Sequence, residues 1–390
     1  MHSNHGFIRI FLDNEVGRKW FLKKYLKNRP ELFLSYYRQK PVSENCRSIL
    51  ILKTDAIGDY LLFRNYLEEI SNHFRPIGYK VFLAGNLAWK DLALELDSCF
   101  LDGFFWLDRG GMNRKPDEKH QIQFLSEINE QTYYSLLYPN YSREWEAGDF
   151  LAGHIPCRNR FGFRGNLLNE SQEQQEKGNN FYTHLHLADE GEKFEFLRNG
   201  EIVSFFLGSR SILPRPTLPH FKAKKNELRP LDNSYILIFP GASEASKCWP
   251  EENFVELIRL IADQNHLQIY LIGGKNEVEL CKRIEEKCQG KAESLAGRTG
   301  LPELLEVISR AKFLISNDSA AIHMGAQCGV SSICIFRGNH FGRFLPYPET
   351  MAPNLKICTA ELLGKHSQEI QSIPVSDVWK VVLEIDKVRQ

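Results

Sequence analysis

The 390-residue sequence contains no run approaching the roughly 18 uninterrupted apolar residues of a membrane-spanning helix. It has no net charge either, since lysine plus arginine and aspartate plus glutamate number 49 each. With neither a global field nor a basic repeat interleaved with aromatics, nucleic acid is not an expected partner. The nine cysteines never form a Cys-x-x-Cys pair. Several sit inside apolar strand or helix patterns, where a reduced thiol behaves as a small hydrophobe, so the expected location is the reducing cytoplasm. Met1–Ile10 lacks the charged start, long apolar run and small-residue cleavage site of a signal peptide, which fits that location. No Gly-x-Gly-x-x-Gly follows the first predicted strand, which counts against a dehydrogenase. No Asp-x-Asp pair stands at a predicted strand end, and the close pair His184 and His186 has no neighbouring cysteine, so no metal and no cofactor is expected.

What is present is the composition of a folded protein, 43% hydrophobic and 25% charged, long enough for about two domains. Residues 7–29 read as a basic amphipathic helix, with Arg9, Arg18, Lys19, Lys23 and Lys24 interleaved with Phe11, Trp20, Phe21 and Tyr25. Such a face either packs on the domain with its charges solvated or touches an anionic membrane surface from the cytoplasmic side. From Ser48 onward, strands and helices alternate. Ser48–Lys53 is a continuous apolar run of the kind a parallel strand buried on both faces requires, and a helical pattern follows over Tyr60–His73. Further strands are expected at Lys80–Ala84, Gly103–Leu107 and Tyr134–Tyr138. A polar stretch, 166–230, holds four prolines and places the linker late within it. A second α/β unit follows, with strands at Tyr235–Phe239, Gln268–Ile272, Phe313–Ser316 and Ser332–Phe336, and a terminal helix over Val375–Val388. The expected divisions are an extension over 1–45, domains over 46–228 and 229–365, and a C-terminal helical segment over 366–390.

Four strand-to-helix loops carry the chemistry, because ligands of such domains bind at the carboxyl ends of the strands. In Lys53–Ile70 the loop through Gly58 presents Asp59 either as a helix N-cap or as a general base for an attacking hydroxyl. In Phe239–Ile258, Gly241, Ser243, Ser246 and Lys247 offer backbone donors, hydroxyls and one cation to a diphosphate, without the spacing of an ATP-hydrolysing P-loop. In Leu271–Leu280, Glu277 either complements a helix N-terminus or accepts the hydroxyls of a ribose. In Leu314–Gly338 the small residues Ser319 and Ala320 let a phosphate approach N–H groups at a helix start, while His323, one turn in, is a structural histidine or a donor contact. Near the end of the fourth strand, Arg143 is either a surface arginine or a cation for an anionic acceptor. Asp55, Arg64 and Arg143 are the candidate acceptor residues.

Taken in order, the Gly58–Asp59 loop, the Pro-Gly-Ala…Lys247-x-Trp249-Pro250 loop, the Leu295–Ala296–Gly297 turn and Asn317–Asp318–Ser319…His323 resemble glycosyltransferase family 9, the heptosyltransferases of bacterial lipopolysaccharide assembly. The resemblance covers about residues 48–350. It implies a GT-B fold, two Rossmann-like βαβ domains facing across a cleft, and an inverting transfer of heptose from ADP-heptose to a glycan or glycolipid acceptor. Asp59 would then be the base, and Lys247 with the N–H groups of Ser319 and Ala320 would hold the donor diphosphate. Glu277 would bind the ribose, and Asp318 would organise the phosphate turn and face the sugar. The chain departs from the family pattern at Asp55 and Ala320. A nucleotide-sugar epimerase of the same architecture and a non-catalytic nucleotide-sugar binding protein are the other readings.

Overall fold

The structure, a computed structural model, describes residues 40–387 except 111–114, 190, 211, 212, 214, 220, 225–230, 232, 233, 265, 339, 340 and 361–368. The expected basic helix over 7–29 lies outside the described residues. Along the chain, β1 (Ser48–Lys53) leads into α1 (Ile57–Phe63) and α2 (Asn65–Phe74), followed by β2 (Lys80–Asn86), α3 (Lys90–Leu96) and β3 (Gly103–Leu107). Next come α4 (Glu118–Ile128), β4 (Tyr133–Tyr138), α5 (Phe150–His154), β5 (Cys157–Phe163), α6 (Gln172–Asn179), β6 (His184–His186) and α7 (Glu195–Leu207). The second series is β7 (Tyr235–Phe239), α8 (Glu251–Gln264), β8 (Gln268–Leu271), α9 (Val278–Lys287), β9 (Glu293–Ser294) and α10 (Leu301–Ser309). It closes with β10 (Phe313–Asn317), α11 (Ala320–Gln327), β11 (Ser331–Ile335), β12 (Leu355–Cys358) and α12 (Val375–Lys387).

The strands form two six-stranded sheets, ordered β3-β2-β1-β4-β5-β6 and β12-β11-β10-β7-β8-β9. Every recorded pairing is parallel. Renumbered within its own series, the second sheet has the same 3-2-1-4-5-6 order as the first, so each is a doubly wound Rossmann-like sheet whose order reverses between its first and fourth strands. Those switch points lie between β1 and β4 and between β7 and β10. The central strands are apolar throughout because helices cover both faces. In the first sheet Leu50, Leu52 and Leu136 pack with Phe124, Leu125 and Leu151. In the second, Ile236, Ile238, Ile269 and Ile315 pack with Phe254, Leu257 and Ile258, and Val378 and Val382 of α12 join the same cluster.

By contact density the chain divides into two compact units. Unit 1 takes residues up to Asp55, Ser71–Ala88 and Leu101–Ala188; unit 2 takes Ala56–Ile70, Trp89–Phe100 and everything from Asp189 onward. The described residues of the polar stretch over 166–230 hold more regular structure than its composition suggests. It holds α6, which a reciprocal cap between Ser171 and Gln174 starts, then β6, and α7, whose Phe196, Ile202 and Val203 are buried. Polar residues dominate there because α6 lies on the surface, not because the chain lacks structure. The helical pattern over Tyr60–His73 also breaks into two helices at Arg64, whose side chain turns inward.

Candidate active site

The loops after β7 and β10 meet at the switch point of the second sheet, and a single side chain staples them. Asn317, completely buried at the end of β10, donates through Nδ2 to the carbonyls of Pro240 (2.7 Å) and Gly241 (3.3 Å), while its Oδ1 accepts from the Trp249 backbone N–H (3.2 Å). The loop that carries Lys247 is thereby closed onto the turn that carries Asp318, and Lys247 Nζ lies 3.3 Å from Asp318 Oδ2. Trp249 anchors the far side of the loop, its indole N–H donating to the Ile373 carbonyl at 2.9 Å. Ser243 and Ser246 are exposed on the same loop, and the Ser246 hydroxyl bonds Glu244 at 3.3 Å.

Glu277 links this loop to the one after β8. It ends a 3₁₀ turn, and its Oε2 accepts from the Gly274 N–H at 2.7 Å. A Cβ placed on Gly241 would stand 2.4 Å from Glu277 Cγ, so glycine at 241 is what lets the carboxylate side chain lie across both loops. Beyond Asp318, α11 starts at Ala320 with Ser319 in extended conformation and no side-chain cap. Its first N–H groups and the positive end of its dipole are arranged as an anion site would need, and the Ser319 hydroxyl is paired with Ser316 Oγ at 2.9 Å.

His323 is buried on α11. Nδ1 lies 2.9 Å from the Tyr347 hydroxyl, which Gln327 also contacts at 3.2 Å. Burial pulls the imidazole down to about 4, and the Lys247 cation acts in the same direction against Asp318, so the ring is neutral near pH 7. Its other edge rests on Gly58: a Cβ there would meet His323 Cδ2 at 3.1 Å. The start of α1, which carries Asp59 in its first turn, therefore packs against α11 near its N-terminal end, both within unit 2. Asp59 is not the N-cap; Ala56 holds that position and Asp59 lies in the first turn, partly exposed.

Two candidate acceptor residues belong to the interior. The Arg143 and Glu170 side chains and that of Asp149 are fully buried; the guanidinium lies 3.4 Å from a carboxylate oxygen of each and bonds Asn179 at 2.8 Å. Burial raises both carboxyls, Glu170 to about 7 with Asp149 beside it. Arg143 is thus neither a surface arginine nor open to an anionic acceptor. Arg64 pairs with the buried Asp97 at 2.6 Å and donates to the Thr217 carbonyl at 3.1 Å, with the Tyr60 hydroxyl on the same carboxylate. It too is committed to the core. Asp55 stands at the end of β1, bound to Lys53 Nζ at 2.7 Å. Sequence reasoning missed Asn317 as the staple, although an Asn closing a buried strand is a signal, and missed Lys53, Arg109 and Glu144 near Asp55.

Residues 215–373, which hold these loops of the second sheet, match the model of glycosyltransferase family 9 (heptosyltransferase). The chain resembles glycosyltransferase family 9. Lipopolysaccharide heptosyltransferase 3 of Escherichia coli K12 is 28% identical over 167 residues, 40% of this chain and 48% of that protein. The lipopolysaccharide core heptosyltransferase OpsX of Haemophilus influenzae is 29% identical over 114 residues, 29% of this chain and 33% of that protein. The chain thus spans between a third and a half of these two curated relatives. Among solved structures, a family 9 glycosyltransferase from Veillonella parvula superposes with a TM-score of 0.69 at 15% identity, covering 88% of this chain and 99% of that one. An E. coli heptosyltransferase, WaaC, solved with ADP, gives 0.64 at 18% identity over 87% and 99%. These likenesses establish the GT-B type of fold, with two Rossmann-like units. Among the described residues no helix is long and apolar enough to cross a membrane.

Proposed function

We propose that the chain is an inverting glycosyltransferase that moves heptose from ADP-heptose onto a glycan or glycolipid acceptor of the lipopolysaccharide core, without a metal ion, in the cytoplasm or at the inner face of its membrane. The observation that carries the reading is the convergence of Lys247, Asp318 and the start of α11 beside the Asp59 turn of α1, with the His323 ring packed on Gly58. Similarity to lipopolysaccharide heptosyltransferases over the matched segments supports the transfer reaction and the acceptor class. A solved relative with ADP-2-deoxy-2-fluoro heptose, sharing the fold at a TM-score of 0.63, supports the donor.

In this reading the donor diphosphate lies against Lys247 and the free N–H groups at the start of α11. Both carry positive charge toward the oxygen on which negative charge grows as the sugar departs, and fixed donors of this kind lower the barrier without reorganising. They also supply the charge that a metal would otherwise bring. Glu277 takes the ribose hydroxyls with the oxygen not engaged by Gly274. Asp59 removes the proton of the attacking acceptor hydroxyl, and attack opposite the leaving diphosphate inverts the anomeric carbon. Asp318, paired with Lys247, holds that cation in place and faces the transferred sugar.

The test is release of ADP from ADP-heptose in step with acceptor glycosylation, with chelator present. Asp59→Asn is expected to lower kcat by at least about 10²-fold, the usual weight of general-base catalysis, while leaving ADP affinity unchanged. Full turnover in Asp59→Asn removes the assigned base. Conversion of the sugar nucleotide in the absence of any acceptor identifies an epimerase instead.

A further inference from the structure

A buried cluster in unit 1 ties the loop after β4 to α6 and sets two carboxyls against one cation. The side chains of Arg143, Asp149 and Glu170 are fully buried. Asp149 ends a π turn over Trp145–Asp149, and Glu170 directly precedes Ser171, the cap of α6. Arg143 Nε lies 3.4 Å from Asp149 Oδ2, and Nη2 lies 3.4 Å from Glu170 Oε1. The guanidinium also donates to neutral acceptors, the carbonyls of Phe163 (3.2 Å) and Gln175 (3.3 Å) and the Asn179 side-chain oxygen (2.8 Å). The Tyr182 hydroxyl donates to Asp149 Oδ1 at 2.6 Å.

One guanidinium neutralises one carboxylate. A second ionised carboxylate here would be a buried charge without a counter-ion, and two carboxyls that meet out of water do not both ionise. Asp149 Oδ2 and Glu170 Oε2 are the two carboxyl oxygens of the cluster that receive no hydrogen bond from any N–H or O–H. The two side chains nevertheless bear on each other through a hydrogen bond. Between two carboxyl groups such a bond requires a proton on one of them. The other titratable groups acting on the pair are the hydroxyls of Tyr182, ahead of β6, and Tyr138, at the end of β4, and burial keeps both protonated. Arg160 of β5 is committed to the carbonyls of Ala152 and Ile155, and Glu173, Glu176 and Lys177 of α6 are exposed. The helix backbone rests on the centre, since a Cβ added to Gly178 would collide with Asp149 Oδ2.

We propose that Asp149 and Glu170 share a single proton, held between Asp149 Oδ2 and Glu170 Oε2, and that this proton locks α6 onto the π turn, so that the helix loosens as pH rises toward neutrality. When the proton leaves for solvent, the centre keeps two carboxylates and one guanidinium, and opening of α6 lets water reach the surplus charge. The inference uses no residue of the transferase reading and stands or falls apart from it. Burial holds the Glu170 carboxyl at about 7 while α6 is closed, against 4.5 in water. Between those values the closed state binds one proton more than the open state, so opening becomes about tenfold easier per pH unit and levels off above about 7.

Two measurements on the full chain test it. Hydrogen exchange of the α6 amides, divided by the intrinsic exchange rate at each pH, is expected to rise about tenfold per pH unit between pH 5 and 7, while the α4 amides of the same unit stay level. Glu170→Gln, whose amide can donate where the protonated carboxyl did, is expected to remove that slope. Asp149→Asn should remove it too, which keeps the test open if one variant fails to fold. Infrared difference spectra of parent minus variant at pH 6 should show the carbonyl stretch of one protonated carboxyl, fading as pH passes about 7. A flat α6 profile in the parent, a slope that survives in both variants, or no protonated-carboxyl band overturns the proposal; the last is what a water bridging two ionised carboxylates would give.

Discussion

Replacing Asn317 by alanine should dismantle the candidate donor site without touching a residue assigned to the reaction. The side chain has no solvent exposure and satisfies three backbone groups, the carbonyls of Pro240 and Gly241 and the N–H of Trp249. Truncation leaves at least the Pro240 carbonyl and the Trp249 N–H buried without that partner. Each orphaned group costs about 1–3 kcal/mol, so about 2–6 kcal/mol is expected, a large share of the ~5–15 kcal/mol that holds a folded domain. Part of that loss should appear as local opening of the 240–249 loop, since the loop is held to β10 through this residue. Hydrogen exchange of the Trp249 amide reads the opening directly, and titration with ADP reads the consequence, an affinity lowered about tenfold or more as Lys247 loses its position beside Asp318. Asn317→Asp keeps an acceptor for Trp249 but turns a second oxygen toward two carbonyls, so it should do no better. Unchanged exchange at Trp249 together with ADP binding within twofold of the parent would refute the staple.

Gly241→Ala should weaken ADP binding about tenfold while costing under about 1 kcal/mol of stability, because the new methyl displaces the Glu277 side chain rather than a core group; paired calorimetry and urea unfolding separate the two. Two of the buried titrating groups, Glu170 and His323, should give pH slopes of opposite sign. Glu170, raised to about 7, keeps its proton in the folded chain where the unfolded chain has lost it. Its contribution is therefore full below the ordinary carboxylate range and is lost as pH rises through about 7. His323, lowered to about 4, contributes stability above about 6.5 that is lost as pH falls toward 4. Relative to the parent, Glu170→Gln should therefore make stability rise more steeply between pH 4.5 and 6.5, and His323→Gln should flatten the rise over the same range. Urea midpoints across a pH series check both, and slopes of equal sign would show that one of the two groups is not buried as described.

The core strands and their loops were legible because both signals are local. An apolar run such as Ser48–Lys53 reports burial on two faces, and Gly58, Gly241 and Gly273 mark the strand-to-helix connections after β1, β7 and β8. Strand β5 was not legible, since its CRNRFGF sequence carries two arginines and an asparagine on a partly exposed strand, and α6 was hidden by its surface polarity. Charged residues misled for a related reason. Arg64 and Arg143 look like surface cations, because nothing in their neighbourhoods announces Asp97, thirty-three residues away, or Glu170, twenty-seven away.

By itself, then, the sequence determined the alternation of strands and helices, the four loops at strand ends and the residues those loops carry, because backbone preference and hydrophobic periodicity act over a few residues. The tertiary structure alone decided which loops meet. The 3-2-1-4-5-6 order sets β7 beside β10, so that Lys247 reaches Asp318 across a gap of 71 residues (318 − 247), and sets β1 beside β4, so that Lys53 reaches Asn140. Whether a charge serves the core or a ligand depends on its partner across such gaps, and that partner is chosen by strand order rather than by neighbouring sequence.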